Sequence, residues 1–84
     1  MLEIIGQLKV EYPYWLVDAF HADGDDCIFA LLTQGDSWKL IKIEATKIYK
    51  RFWHWNLVEV NSGGLYASDG RWEFKKVVEA KCWK

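Results

Sequence analysis

Several features of larger or more specialised proteins are missing from this 84-residue sequence. It contains one proline and no low-complexity stretch, and 51% of its residues are hydrophobic, which excludes a disordered protein. No window approaches eighteen consecutive apolar residues, so the sequence predicts a chain that does not cross a membrane. Because the length is about half of the roughly 150 residues of a typical domain, we expect a single compact domain over residues 1–84.

Motifs of catalysis are also missing. His21 and His54 stand 33 residues apart with no GxSxG or HExxH motif near either, and no phosphate-binding loop is present. The acidic turn that begins at Asp23 offers Gln34 at its twelfth position, where an EF-hand calcium loop needs a bidentate carboxylate. The sequence therefore predicts no enzyme activity, no cofactor and no metal site.

Cysteine is scarce, with Cys27 and Cys82 only. The pair has no CxxC spacing for zinc, and although one disulfide is conceivable, nothing at the N-terminus reads as a secretion signal. We therefore expect two reduced, buried cysteines in a cytoplasmic protein.

Tryptophan, by contrast, is abundant: six copies stand beside four Tyr and four Phe. Large aromatics bury about 150–250 Å² each, so they can compensate for a short chain by filling its core. We expect Trp15, Trp38 and Trp72 to fill the core. Trp53 and Trp55 lie in a basic segment, and they are the two tryptophans that we expect to be surplus to the core.

Two terminal segments alternate apolar and polar residues with the period of a strand. Residues 2–12 do so until Pro13, and ten of the twelve positions in 71–82 fit the same period, which we prefer to a helical stripe through Phe74, Val77, Val78 and Cys82. Both segments are therefore predicted to be strands.

The interior of the chain reads as strands separated by regular turns. Strands are predicted at residues 14–21, 27–33, 38–43 and 52–60, with turns at 23–26 and 34–37. From Glu44 to Trp53 the apolar residues follow helical spacing, so a short helix is predicted over 44–51. The predicted fold class is α+β, mostly an antiparallel β meander forming a curved sheet or partial barrel with one short helix; an all-β small barrel is the alternative.

The charges are unevenly distributed. Residues 1–46 hold three Lys against eight Asp and Glu, a net charge of −5, and residues 47–84 hold eight Lys and Arg against four acids, a net charge of +4. Either the fold keeps two oppositely charged faces that attract a charged partner, or the two halves interleave and pair across strands.

The segment from Lys47 to Trp55 is the densest candidate for function because cations and aromatics alternate along it. Trp, Tyr and Arg are enriched at protein interfaces, which favours a non-catalytic module that binds another protein. Small inhibitors encoded by phages and other mobile elements are similar to it in size and class. The predicted contact residues are Arg51, Trp53, His54, Trp55, Arg71 and Trp72, with the acidic loop Asp23, Asp25 and Asp26 as a second contact.

Two alternatives remain for the same segment. Bases stack on aromatic rings while Lys and Arg neutralise phosphates, so single-stranded nucleic acid is a possible ligand, although the net charge of −1 disfavours it. The second alternative is a homodimer formed through exposed aromatics or a sheet edge.

Overall fold

The computed structural model describes residues 2–24, 27–49, 52–64 and 67–82. Four antiparallel strands form a curved open sheet in the order β1-β2-β3-β4, and one helix lies on each face. The elements are α1 (Leu2–Glu11), β1 (Leu16–Asp23), β2 (Cys27–Gln34), β3 (Ser37–Tyr49), β4 (Phe52–Gly63) and α2 (Ala67–Cys82). The α+β class and the meander are thus confirmed, and because the sheet is not closed the alternative of an all-β barrel is wrong.

The four predicted interior strands are confirmed, as are the turn at 34–37 and the described part of the turn at 23–26. Gly24 and Gly35 have φ values of 71° and 60°, a left-handed conformation that glycine adopts without steric cost. In the β2–β3 hairpin, Gln34 pairs with Ser37 across the tight turn that contains Gly35. A glycine with positive φ therefore lies in each of the first two connections of the meander.

β2 lies between two neighbours and under both helices, so it is buried on both faces. Its even-numbered residues Ile28, Ala30 and Leu32 face α1, together with Ile41 and Ile43 of β3. Its odd-numbered residues face α2, where Phe29 packs with Val78 and Leu31 packs with Trp38 and Leu40. A continuous apolar run of this kind is expected for a strand with two covered faces.

The N-terminal segment is a helix, so the predicted strand over residues 2–12 is wrong. Ile4 and Leu8 are 2% and 1% exposed and pack on the sheet, while Gly6 and Val10 face away from it. Residues four positions apart share a face in a strand and in a helix alike, so Ile4 and Leu8 fit both periods. α1 ends at Glu11, two residues before Pro13.

The C-terminal segment repeats this error for the same reason, since residues 71–82 belong to α2 and not to a strand. Phe74, Val78 and Cys82 are spaced by four and contact the core in either conformation. Val77 distinguishes the two, because it also packs on the sheet although it has the opposite strand parity. The helical stripe is therefore the correct interpretation.

The predicted helix over 44–51 is wrong as far as Tyr49, and residues 50 and 51 lie outside the described residues. β3 continues through this stretch, and its backbone pairs with β4 down to Tyr49 and Phe52. Three β-branched residues, Ile43, Thr46 and Ile48, favour an extended conformation. Pairing with β4 thus overrides the helical spacing of the apolar residues.

The expectation of two reduced cysteines is wrong in this structure. Cys27, at the start of β2, and Cys82, at the end of α2, form a disulfide with a Cα–Cα separation of 5.6 Å. Cys27 is buried against Phe29 and Val78, so the bond lies in the apolar layer between α2 and the sheet. It closes a loop across 55 positions of sequence and ties the C-terminal turn of α2 to the sheet.

Trp38 fixes the other end of α2, and its expected place in the core is confirmed. It is 5% exposed, and a Cβ added at Gly70 of α2 would lie 2.7 Å from its Cγ. A Cβ added at Gly63 of β4 would lie 2.6 Å from its Nε1. The indole is therefore held between two glycines, one in β4 and one in α2.

Candidate functional site

The longest strands, β3 and β4, continue beyond the rest of the sheet as a two-stranded β3–β4 arm. In the described part of the chain, β2 pairs with β3 only as far as Ile28 and Ile43. Residues 44–49 therefore pair with β4 alone, opposite residues 52–56. At about 3.3 Å per residue, six residues extend the arm roughly 20 Å past the covered sheet.

The arm contains the segment that sequence analysis singled out. Trp53 pairs with Lys47, His54 with Thr46 and Trp55 with Ala45 across the ladder. Arg51 lies outside the described residues.

Trp55 anchors the base of the arm to α1. Its side chain is half-buried and packs against the cluster that contains Ile4 and Leu8. Its carbonyl oxygen accepts a hydrogen bond of 2.7 Å from Gln7 Nε2. Trp55 therefore helps to hold α1 on the sheet as well as lying on the arm. The expectation that the core does not need it is wrong.

Trp72 lies elsewhere, on the outer side of α2, and its expected burial is wrong. It is 62% exposed, and Lys75 and Lys76, three and four residues further along the helix, are exposed beside it. Lys76 Nζ lies 3.4 Å from Glu73 Oε1. An exposed tryptophan next to cations is typical of a contact surface, although here it stands apart from the arm.

Arg71, another predicted contact residue, pairs within the chain. Its Nε and Nη2 donate to the two carboxylate oxygens of Asp18 at 2.7 and 3.0 Å. These hydrogen bonds, and the positive charge behind them, hold the pKa of Asp18 below its usual value. The pair joins α2 to the β-bulge of β1 between Val17 and Ala19. It also joins the acidic half of the sequence to the basic half, as the interleaved arrangement requires.

The acidic turn leaves the sheet at the same end as the arm. Asp23 is exposed and pairs with Cys27, one residue before the point where Ile28 meets Ile43. Asp25 and Asp26 lie outside the described residues. The structure therefore brings the start of the acidic loop and the arm to one end of the sheet, with the last turn of α2 beside them through the disulfide.

A groove of about 340 Å³ lies between α2 and β4, on the sheet face opposite α1. Apolar side chains form part of its lining, including Val60, which is 45% exposed. Three polar residues complete it, and none of them was predicted as a site residue. The lining residues are Phe29, Lys42, Val60, Asn61, Val77 and Lys81.

Sequence reasoning missed this groove because no local signal marks it. The register between β3 and β4 shifts by one residue at this point. Leu40 pairs with Asn61 and Ile41 pairs with Glu59, so Val60 lies in a β-bulge. The other wall comes from the C-terminal turns of α2, which the sequence reading made a strand. The helical stripe through Phe74, Val77, Val78 and Cys82 is the signal that would have located it.

Further exposed apolar residues lie at the opposite end of the sheet, around the connection from α1 to β1. Val10, Tyr14 and Leu16 are 78%, 81% and 73% exposed. The carbonyl of Tyr14 accepts a hydrogen bond of 3.3 Å from Gln34 at the β2–β3 turn, which places this group far from the arm.

The chemistry available to the described residues is limited. Both sulfurs are engaged in the disulfide, so neither cysteine offers a thiolate in this state. Nε2 of His21 is buried without a hydrogen-bond partner among the residues that the structure describes. Within those residues there is no group of three or more His, Cys, Asp or Glu placed to hold a metal ion. Nor does any described helix have the length and apolar character needed to cross a membrane.

The fold and its surfaces define the class of this protein as a small α+β domain, a curved antiparallel meander between two helices. Comparison with protein-family models, with curated proteins and with solved structures finds no match for the chain.

Proposed function

We propose that this protein is a non-catalytic module that binds another protein, and that the β3–β4 arm makes the principal contact. The observation that carries the proposal is the self-contained pairing of the arm, which in the described residues meets no third strand. An extended partner segment can add to such an edge by main-chain hydrogen bonds. The Trp-rich sequence of the arm supports the same function, since aromatics dominate interface hot spots.

Trp72 is proposed as a second, independent contact on the outer face of α2. A narrower form of the proposal, based on size and class alone, is that the module acts as an inhibitor of the kind that phages and other mobile elements encode.

Pull-down from the native host tests the arm, with wild type compared with Trp53→Ala. We expect the partner to be retained by wild type and lost by Trp53→Ala, because truncation of a hot-spot aromatic costs about 2 kcal/mol or more of binding free energy. Tyr14→Ala is the matched control, as it removes an exposed aromatic at the far end of the sheet. Loss of the partner in Tyr14→Ala alone would move the interface to that end and contradict the proposal.

Single-stranded nucleic acid binding is the second candidate, favoured by the register that sets Lys47 opposite Trp53. Binding to phosphates weakens steeply with salt, so titration of labelled oligonucleotides at two salt concentrations separates the two functions. If no oligonucleotide binds at low salt, the nucleic-acid function is excluded. Homodimerisation through the arm would instead appear as a doubled mass in light scattering.

A cytoplasmic location stays a prediction, and the disulfide makes it testable. Cytoplasmic reductants keep most thiols reduced, whereas disulfides persist in oxidising compartments. Acid quenching of host cells followed by thiol labelling reports the state of Cys27 and Cys82. Labelled cysteines would support the cytoplasm, and an unlabelled pair would contradict it.

A further inference from the structure

We propose that the groove between α2 and β4 binds an acidic peptide segment of the partner, with one apolar side chain on its floor and carboxylates at its rim. This proposal rests on the proposed function in one respect, that the partner is a protein. It concerns a different surface from the arm, on the α2 face of the sheet.

The polar lining of the groove offers donors. Lys42 and Lys81 each carry an ammonium group with three N–H donors and no acceptor. The side-chain oxygen of Asn61 already accepts a hydrogen bond of 2.9 Å from the backbone N–H of Ser62. Because that N–H can only donate, the atom facing it is the oxygen, which keeps one further lone pair, while the NH₂ group of Asn61 can donate to a ligand. Most of the polar lining therefore donates, and two ammonium groups that line one groove favour an anionic ligand.

Lys42 already demonstrates this preference. Its Nζ lies 3.4 Å from Glu44 Oε1, and the two side chains are 38% and 45% exposed. An ion pair this exposed contributes little to stability, so a second carboxylate can share the ammonium or replace Glu44 at small cost. The contact shows that the Lys42 ammonium pairs with a carboxylate, while Glu44 itself does not line the groove.

The apolar part of the lining is the reason for proposing one apolar side chain in the ligand. Phe29, Val60 and Val77 supply the apolar surface, and Val60 remains 45% exposed. A site that encloses a small molecule buries most of that molecule, and typical volumes begin near 300 Å³. The groove has a volume of about 340 Å³, but its wall at Val60 is exposed, so a small molecule would stay partly in water, whereas a larger partner would cover that wall.

The test is a fluorescence-anisotropy titration with a labelled five-residue peptide that has leucine at its centre and two glutamates on either side. We expect saturable binding to the disulfide-bonded wild type and about fivefold weaker binding to Lys42→Gln/Lys81→Gln, since each exposed ion pair contributes modestly. Lys75→Gln/Lys76→Gln removes the same charge from the outer face of α2 and should bind as wild type does. Backbone amide shifts at Phe29, Val60 and Val77 should mark the bound peptide.

Three results would overturn the groove proposal: no saturable binding by wild type, equal weakening in both double variants, or equal binding of a peptide with glutamine in place of glutamate. An oligonucleotide that binds wild type and not Lys42→Gln/Lys81→Gln would assign the groove to nucleic acid and overturn it as well. The two proposals fail separately. If the peptide binds the groove but wild type recovers no host protein, the function of the arm is contradicted alone. If Trp53→Ala loses a host partner while no peptide binds, the groove proposal fails alone.

Discussion

The two helices pack on the same sheet in different ways. α1 is held by the burial of Ile4 and Leu8 and by one side-chain hydrogen bond from Gln7. α2 also buries apolar side chains on the sheet, and it adds three dissimilar contacts: Gly70 against Trp38, Arg71 with Asp18, and the disulfide at Cys82. Burial of apolar surface is not directional, whereas the three contacts of α2 each require one position along the helix. The helix that forms a wall of the groove is therefore the one whose position on the sheet is fixed.

The largest expected effect comes from breaking the disulfide, because this bond holds α2 and not α1. Reduction releases a loop across 55 positions, and the chain-entropy relation gives a loss of about 4 kcal/mol in the free energy of unfolding. Denaturant unfolding with and without a reductant measures it, and Cys27→Ala/Cys82→Ala is the control that should not respond to reductant. Amides in the last turn of α2 should exchange faster after reduction by more than the global loss of stability explains, because local opening is released there, whereas those of α1 should follow the global loss alone. Equal acceleration in both helices would show that the bond does not act on α2 in particular.

Replacing one glycine in each helix by alanine should change the stability by intermediate amounts, with opposite signs in α1 and α2. Gly70→Ala places a Cβ 2.7 Å from Trp38, so we expect a loss of about 1–3 kcal/mol despite the better helix propensity of alanine. Gly6→Ala in α1 meets nothing within 4 Å and should gain about 0.5–1 kcal/mol. Thermal unfolding of the two variants beside wild type measures both values. A stabilising Gly70→Ala would mean that the Trp38 side chain moves freely and that its packing against Gly70 does not restrict α2.

The smallest effect is expected from the ion pair of α2. The pKa of Asp18 is lower in the folded state than in the unfolded chain, chiefly through its hydrogen bonds with Arg71, so its stabilising contribution is present above about pH 4. That contribution disappears as the pH falls through the folded-state pKa. Asp18→Asn should lower the unfolding midpoint slightly at pH 7, and its difference from wild type should shrink as the pH falls below about 4. A difference that persists unchanged at low pH would assign the effect to packing of the bulge.

The sequence predicted the sheet better than the helices, for a physical reason. Turn residues such as Gly24 and Gly35 interrupt the interior strands, and these signals are local. Both helices carry their buried residues at intervals of four, a spacing that fits a strand equally well. Only positions such as Val10 and Val77 distinguish the two, and their burial depends on what the tertiary fold places beside them.

Prediction of the candidate site was partial for related reasons. The segment that ends at Trp55 was singled out from the sequence, and its role in binding stays a prediction; its extended conformation depends on pairing with β3, a contact distant in sequence. Trp72 was named as a contact residue although its burial was predicted incorrectly. The groove joins β4 to α2, so no single stretch of sequence contains it.

The strand order also bears on how the chain folds. Every pair in the sheet joins consecutive strands through a hairpin, so the meander assembles without any crossover connection. Local pairings of this kind cost little loop entropy, and hairpins form within about 1–10 µs. The β2–β3 hairpin, closed by Gly35, contributes most of the buried apolar surface on both faces. We expect this hairpin to form the folding nucleus and the two helices to dock on it afterwards, so φ-values should be larger in β2 and β3 than in α1 and α2.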